Sequence, residues 1–116
     1  MLSRPRGHCL LINNVDAFKT MPSRQGSDID ASKLKSLFTQ LGFDVILRRN
    51  LIYTDMISAI KNFAITIEEN KDTSDCAVVI ILSHGGNGTI YAVDELAVDV
   101  SDHLRRQKKR KITITG

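Results

Sequence analysis

The order of apolar and polar positions along the chain predicts alternating strands and helices. Residues 9–12 form a short apolar run that ends at two asparagines, a pattern typical of a buried strand. Apolar residues then recur at helical spacing, at Leu34, Leu37, Phe38 and Leu41. Gly42 stands where the C′ glycine of this helix belongs, and we expect Ser27 or Asp28 to cap its start.

A second strand and helix follow, and then a third strand. Alternating positions over residues 43–48 predict the strand, and Thr54 is a plausible N-cap for the helix. The apolar face of this helix consists of Ile57, Ile60, Phe63, Ala64 and Ile67. Residues 77–82 are apolar throughout, which predicts a strand covered on both faces. A glycine-rich loop comes next, and residues 89–93 and 100–107 are weaker candidates for a strand and a third helix.

This order predicts an α/β fold with a mostly parallel sheet and helices on both of its faces. Helices of this length can act as right-handed crossovers between parallel strands. With the first strand in the centre, in the order 2-1-3, the topological switch point lies between strands one and three. Ligands of open α/β sheets bind at that point. The loops over residues 16–26 and 83–88 meet there, so we expect Arg24 and His84 to be neighbours.

Length and composition describe a single globular domain. The chain has 116 residues, of which 42% are hydrophobic and 25% charged. Its longest apolar run, residues 77–82, is far shorter than the roughly 20 residues of a membrane span. No signal peptide is recognisable, and Cys9 and Cys76 cannot build a disulfide framework. We therefore expect a cytoplasmic protein that does not associate with membranes.

The net charge of +3 is concentrated near the end of the sequence. Six of the 16 basic residues lie within residues 105–111, and the other ten stand against 13 acidic residues. The run is either a nuclear-import or phosphate-binding tract or, more commonly, a solvated helix end or tail. We divide the chain into a domain over residues 1–104 and a basic, divergent tail over residues 105–116, and we do not expect nucleic acid as the main partner.

His84 is the strongest candidate for chemistry, because it follows a buried strand and opens a glycine-rich turn. Glycines allow backbone N–H groups to turn toward a ligand, as an oxyanion hole requires. An esterase-type His-Gly-Gly loop would need a serine in a Gly-x-Ser-x-Gly elbow, which the chain lacks. A phosphate-binding loop would need a helix directly after the glycines, whereas residues 89–93 are strand-like.

The other candidate residues are one arginine and two cysteines. Most loop arginines are simply solvated, but Arg24, placed in a pocket, could bind a carboxylate bidentately. Cys9 and Cys76 lie at strand starts, away from the switch point, and are expected to be inert thiols. No histidine or cysteine spacing indicates zinc.

Seven short segments of the chain form a pattern that points to one protein family. They are Arg6-Gly7, Ile12-Asn13-Asn14, Ser23-Arg-Gln-Gly-Ser-Asp28, Leu41-Gly-Phe-Asp-Val45, Ile81-Leu-Ser-His-Gly85, Gly88-Thr-Ile-Tyr91 and Asp94. With these segments in the family's order, the chain resembles the large subunit of the caspases, the aspartate-specific cysteine proteases, from about residue 6 to residue 102. The pattern is most similar to the executioner caspases, which act in apoptosis. Ala92 departs from it, since a glycine is usual there.

The resemblance implies a three-layer caspase-like fold and a role for each candidate. His84 would protonate the leaving amine and support the thiolate. Gly85 would contribute its backbone N–H to the oxyanion hole, and Arg24 would form one arm of the pocket for the substrate aspartate at P1. No cofactor and no metal are implied. The expected partners are a caspase small subunit or a complete caspase, and peptides that contain aspartate.

The family's nucleophile is missing from these residues. It lies in a Gln-Ala-Cys-x-Gly motif about 50 residues beyond the histidine of related enzymes, and no such motif occurs here. We therefore expect a truncated caspase domain that is inactive as written, with an incomplete sheet left open after its third strand. Two alternatives remain: a non-catalytic module that binds and regulates complete caspases through that open edge, and a nuclear or nucleic-acid-binding adaptor that uses residues 105–111.

Overall fold

The computed structural model describes residues 7–16, 18–69, 76–86, 89–99 and 110–115. Two helices and seven strands lie within these residues. In chain order they are β1 (Gly7–Asn13), α1 (Ser27–Gln40), β2 (Phe43–Arg49), α2 (Tyr53–Glu69), β3 (Cys76–Leu82), β4 (Gly85–Gly86), β5 (Thr89–Tyr91), β6 (Ala97–Val98) and β7 (Arg110–Thr115). No helix in the described part of the chain is long and apolar enough to cross a membrane.

The main sheet is parallel and has the strand order β2-β1-β3-β7. Gly7 at the start of β1 is in register with Phe43 of β2 on one side and with Cys76 of β3 on the other. The predicted α/β class and the order 2-1-3 are therefore confirmed. A Cβ on Gly7 would lie only 2.1 Å from the carbonyl oxygen of Cys76, so glycine is required for this close approach of β1 to β3.

Successive side chains of β1 and β3 point to opposite faces, and each face carries one helix. On one face Cys9, Leu11, Val78 and Ile80 pack against Ala31, with Leu34 and Phe38 of α1. On the other, the buried stripe of α2 covers the sheet. That core contains Leu10, Ile12, Val79 and Ile81 of the strands and Met56, Ile60, Phe63 and Ile67 of α2. The prediction of helices on both faces is confirmed.

A smaller antiparallel sheet, in the order β4-β5-β6, follows β3. Ile90 of β5 and Val98 of β6 join the core under α2. The strand predicted near residues 89–93 is thus present as β5, while the loop predicted over residues 83–88 contains β4. This small sheet places the residues that follow His84 beside α2.

The amino-acid pattern suggests that the sheet ends at β3, but the structure adds a further strand there. Strand β7 pairs with β3 in parallel, from Cys76 opposite Arg110 to Ile81 opposite Thr115. The expectation of an open edge at β3 is wrong, because the basic residues 110 and 111 conceal the strand pattern of residues 112–115. Residues 110–115 of the predicted tail thus belong to the main sheet. The third helix predicted at 100–107 and the basic residues 105–109 lie outside the described residues, and the division at residue 104 stays a prediction.

The helix starts also differ from the predictions. Gly26, at φ 85°, occupies the N-cap of α1, so Ser27 and Asp28 are its first two residues. Helix α2 begins at Tyr53, one residue before the predicted cap. The Tyr53 N–H donates to Asp94 Oδ1 at 3.0 Å, so the cap of α2 comes from a residue 41 positions away. Gly42, with φ 93°, follows α1 as predicted.

Candidate active site

The site lies where β1 and β3 end side by side, at the switch point of the main sheet. Asn14 follows β1 and is fully buried. Its backbone N–H donates to the Leu82 carbonyl at 2.8 Å, and its side-chain oxygen accepts from the Leu51 N–H at 3.0 Å. Its amide nitrogen lies 3.3 Å from Ser83 Oγ and 3.4 Å from the Tyr91 carbonyl oxygen. Asn14 thus fixes the ends of β1 and β3 against β5.

His84 follows directly on this fixed strand end and is half-buried. Its Nε2 lies 2.8 Å from the carbonyl oxygen of Pro22. A carbonyl oxygen can only accept, so Nε2 carries the proton and Nδ1 of the neutral ring keeps its lone pair. The ring of Phe18 meets the imidazole edge to face, with centroids 4.8 Å apart. Two contacts from one loop therefore set both the orientation and the tautomer of His84.

Arg24 lies on the same loop, two residues beyond Pro22. Its Nη1 donates to Ser27 Oγ at 2.7 Å, and its backbone N–H donates to the Val15 carbonyl at 2.7 Å. Burial lowers the pKa of Arg24 from its ordinary value, and the charge of Asp30 opposes that shift. The predicted convergence of the two loops is thus present, since His84 contacts the residues just before Arg24.

A chain of polar side chains continues from Arg24 beneath the loop. Ser27 Oγ donates to Asn13 Oδ1 at 2.6 Å, and Asn13 Nδ2 donates to Asp28 Oδ1 at 2.8 Å. Arg49 then binds Asp28 bidentately, with both N–O distances at 3.0 Å. These hydrogen bonds from Arg49, with its charge and a smaller contribution from Asn13, lower the pKa of Asp28 against partial desolvation. The loop arginine therefore rests on a network that links β1, α1 and β2.

The loop is also held by Asn50, the residue that follows β2. The side-chain oxygen of Asn50 accepts from the N–H groups of Val15 and Asp16, at 2.9 and 3.1 Å. Asn50 Nδ2 donates to Asp16 Oδ1 at 2.7 Å. Asn50 itself has φ 55°, a left-handed conformation that asparagine tolerates better than most residues. These bonds anchor the beginning of the loop that carries Arg24.

Gly85 and the cysteines occupy contrasting positions. Gly85 is exposed in β4, opposite Ile90 of β5, and directly follows His84. Cys9 is fully buried, and burial raises the pKa of its thiol to about 12. In the register Cys9 is opposite Val78, four residues or about 13 Å before the end of β3. Cys76 begins β3, so the structure brings neither thiol to His84.

Several residues of the site escaped the sequence reasoning. Asn14, Phe18 and Pro22 all act through partners far along the chain. The one local signal was the pair of asparagines directly after a buried strand, where polar side chains of an α/β sheet collect. Among the described residues no group of three or more His, Cys, Asp or Glu side chains could hold a metal ion.

The geometry defines an α/β domain with an oriented histidine beside a loop that carries an arginine, at the switch point of a parallel sheet. A family model described as the caspase domain matches residues 6–114. The chain belongs to the caspase family, and this region is a caspase-family protease domain. The match extends to residue 114, within β7 and beyond the expected end of the resemblance near residue 102.

Curated relatives show the same similarity over most of the chain. Cell death protein 3 of Caenorhabditis remanei is 38% identical over 100 residues, which are 86% of this chain and 19% of that protein. Human caspase-9 is 36% identical over 105 residues, covering 83% of this chain and 24% of its own. Caspase-7 of Gallus gallus is 41% identical over 90 residues, covering 76% and 28%. The chain thus spans less than a third of each of these relatives, and the executioner subtype stays a prediction.

Proposed function

We propose that these residues form the histidine-bearing part of a cysteine endopeptidase that cleaves after aspartate. The observation that supports this best is the 2.8 Å contact between His84 Nε2 and the Pro22 carbonyl, which leaves Nδ1 available to exchange a proton with a thiol and a leaving amine. Arg24, held two residues further along the same loop, supplies the positive charge for an aspartate side chain.

The reaction requires a thiol from polypeptide outside residues 1–116, since neither Cys9 nor Cys76 reaches His84. Nδ1 of His84 first takes the proton of the thiol. The resulting thiolate attacks the scissile carbonyl carbon, and backbone N–H groups, with that of Gly85 among them, stabilise the oxyanion. His84 then donates its proton to the leaving nitrogen, the C–N bond breaks, and a thioester remains. Water attacks the thioester with His84 as base, which releases the acid and restores the thiol.

The partner we propose is the small-subunit segment of a caspase. Within the described part of the chain β7 has one neighbour, β3, so a further strand could be added on its other side. The regulatory alternative is argued from an open edge at β3; because β7 covers β3, it would have to use the other side of β7 instead. The nuclear or nucleic-acid alternative depends on residues 105–111, of which 105–109 lie outside the described residues. We also propose a cytoplasmic location, in agreement with two free cysteines.

The test is complementation. Residues 1–116 are assayed with fluorogenic peptides ending in aspartate, alone and together with a caspase small-subunit segment that carries Gln-Ala-Cys-x-Gly. We expect no cleavage by the chain alone, cleavage by the pair, and a loss on the order of 10⁴–10⁶-fold in kcat for His84→Ala. Cleavage by the pair that survives His84→Ala would contradict the proposal.

The role of Arg24 is tested in the same assay. Loss of a charged hydrogen bond to the substrate, roughly 1.5–3 kcal/mol, predicts that Arg24→Ala lowers kcat/KM about 10- to 150-fold. Arg48→Ala is the matched control, because Arg48 is an exposed arginine that lines a groove between β2 and α2. Equal losses for the two variants would remove Arg24 from the substrate pocket.

A further inference from the structure

We propose that Glu95 is a positioning residue for His84, which it orients through the loop segment Thr20–Pro22. This inference rests on the proposed function of His84 as the general acid and base. Glu95 lies in the turn between β5 and β6. Its effect passes through the backbone of residues 20 and 21 to the carbonyl of residue 22.

The contacts between Glu95 and the loop use both carboxylate oxygens. Oε1 accepts from the Thr20 hydroxyl at 2.6 Å. Oε2 accepts from the backbone N–H groups of Thr20 and Met21, at 2.5 and 3.1 Å. These bonds, with one from the Lys19 N–H, lower the pKa of Glu95, so the carboxylate is ionised at neutral pH. One side chain therefore holds three consecutive residues of the loop.

The held segment lies between the two contacts that the loop makes with the imidazole. Phe18, on one side of it, packs edge to face on the ring. Pro22, on the other side, accepts the hydrogen bond from Nε2. Because residues 19–21 connect these two contacts, a displacement of the segment would disturb both of them. Glu95 thus controls the part of the loop on which the orientation of His84 depends.

The turn that carries Glu95 is itself fixed on the body of the domain. The Val93 N–H donates to the Leu51 carbonyl at 3.0 Å, and Asp94 accepts from the first N–H of α2. The Glu95 N–H donates to the Ala92 carbonyl at 2.8 Å. Glu95 has φ 66°, a region that glycine adopts far more easily than glutamate. A glutamate is thus kept at a position suited to glycine, and its carboxylate accepts four hydrogen bonds from the loop there.

The experiment separates positioning from folding by means of this backbone strain. Glu95→Gly removes the carboxylate but relaxes the turn, so the variant should fold at least as well as the wild type. Glu95→Gln keeps one acceptor oxygen, and Glu69→Gln, at the exposed end of α2, is the matched control. The readout is the ¹⁵N spectrum of the His84 imidazole at about pH 8.5, where an ordinary imidazole is neutral.

We expect the wild type and Glu69→Gln to show the Nε2–H tautomer and a Phe18–His84 ring contact by NOE. Glu95→Gly should shift the ring toward the two-tautomer mixture of a solvated histidine and weaken the NOE. Exchange of the Thr20 and Met21 amide hydrogens should become roughly 10- to 100-fold faster. Glu95→Gln should give a tautomer ratio, an NOE and exchange rates between those of the wild type and those of Glu95→Gly.

A folded Glu95→Gly variant with the wild-type tautomer and NOE would overturn the proposal. If Glu95→Gly does not fold, a wild-type imidazole spectrum in Glu95→Gln would overturn it equally. Neither the imidazole spectrum nor the NOE requires the protein to be catalytically active. If the complementation assay shows no cleavage but the His84 tautomer depends on Glu95, the proposed function is refuted and the positioning of His84 by Glu95 is supported. His84-dependent cleavage with a tautomer indifferent to Glu95 would refute the positioning role alone.

Discussion

The two ends of β1 and β3 differ sharply, although the same two strands form both. From their amino ends through their middle, which we call the dry end, the side chains of the strands that face α1 are apolar: Cys9 and Leu11 are fully buried there. At their carboxyl ends the buried groups are polar, with Asn13 and Ser83 hydrogen-bonded across elements. One end therefore supplies stability, whereas the other holds chemically useful groups in fixed positions.

This comparison explains why the thiols and the histidine have opposite characters. Cys9 sits among apolar side chains, so its thiolate is unfavourable and its pKa rises to about 12. His84 instead meets a backbone carbonyl that fixes one of its ring protons. A reactive group needs polar neighbours that favour its charged or polarised form, and the carboxyl ends of the strands provide them for His84.

The largest of the predicted effects concerns the Cys9 thiol at the dry end, which should react far more slowly in the native protein than in the unfolded chain. At about pH 8 a thiol with a pKa near 12 has roughly a thousandfold less thiolate than one at its ordinary value of 9.0. We expect native Cys9, in a Cys76→Ser background, to react with a disulfide reagent at least that much more slowly than after unfolding. Rapid native labelling, with Cys76 alone in Cys9→Ser as the reference, would show that this end is not dry.

Removing apolar volume at the dry end should cost the most stability. Leu11→Ala empties a fully buried position and should lower the free energy of unfolding by about 2–5 kcal/mol, measured by urea denaturation. The control is Leu47→Ala on β2, where the side chain is 37% exposed and the loss should be clearly smaller. Equal losses would mean that the Leu11 site is not a packed core.

The polar end should be sensitive to lost hydrogen bonds more than to lost volume. Asn14→Leu keeps the size but leaves the Leu51 N–H without its acceptor, so we expect a loss of about 1–3 kcal/mol. The same variant should loosen the contact between His84 and Pro22, visible in the imidazole spectrum, whereas Leu11→Ala should not. If Asn14→Leu changed neither the free energy of unfolding nor the imidazole spectrum, the distinction between the two strand ends would be wrong.

The smallest of the predicted effects is a loss of stability in acid, through the Asp28–Arg49 ion pair at the polar end. The pKa of Asp28 is lowered in the folded state, chiefly by the hydrogen bonds of Arg49, from an ordinary value of 3.8. The ion pair therefore stabilises the fold above that value, and this contribution is lost as the pH falls through the folded pKa. Urea midpoints measured between about pH 7 and pH 3 should fall less in Asp28→Asn than in the wild type. Asp55→Asn, on the exposed start of α2, should retain the wild-type slope.

The sequence by itself determined the strands β1, β2 and β3, the two helices and their order. Apolar runs and 3.6-residue periodicity are local patterns, and right-handed crossovers then leave few topologies. The resulting strand order is enough to bring the loops of Arg24 and His84 to one crevice. It also places both cysteines away from that crevice.

Only the tertiary structure decided how the site is held. The cap of α2 comes from Asp94, the hub at the strand ends is Asn14, and the carbonyl that orients His84 belongs to Pro22. Strand β7 likewise became visible only through its pairing with β3. Each of these contacts joins residues at least 34 positions apart, and the hydrogen bonds involve backbone groups that almost every residue type carries. No local pattern records such pairings, because what selects them is the packing of the finished sheet against its helices.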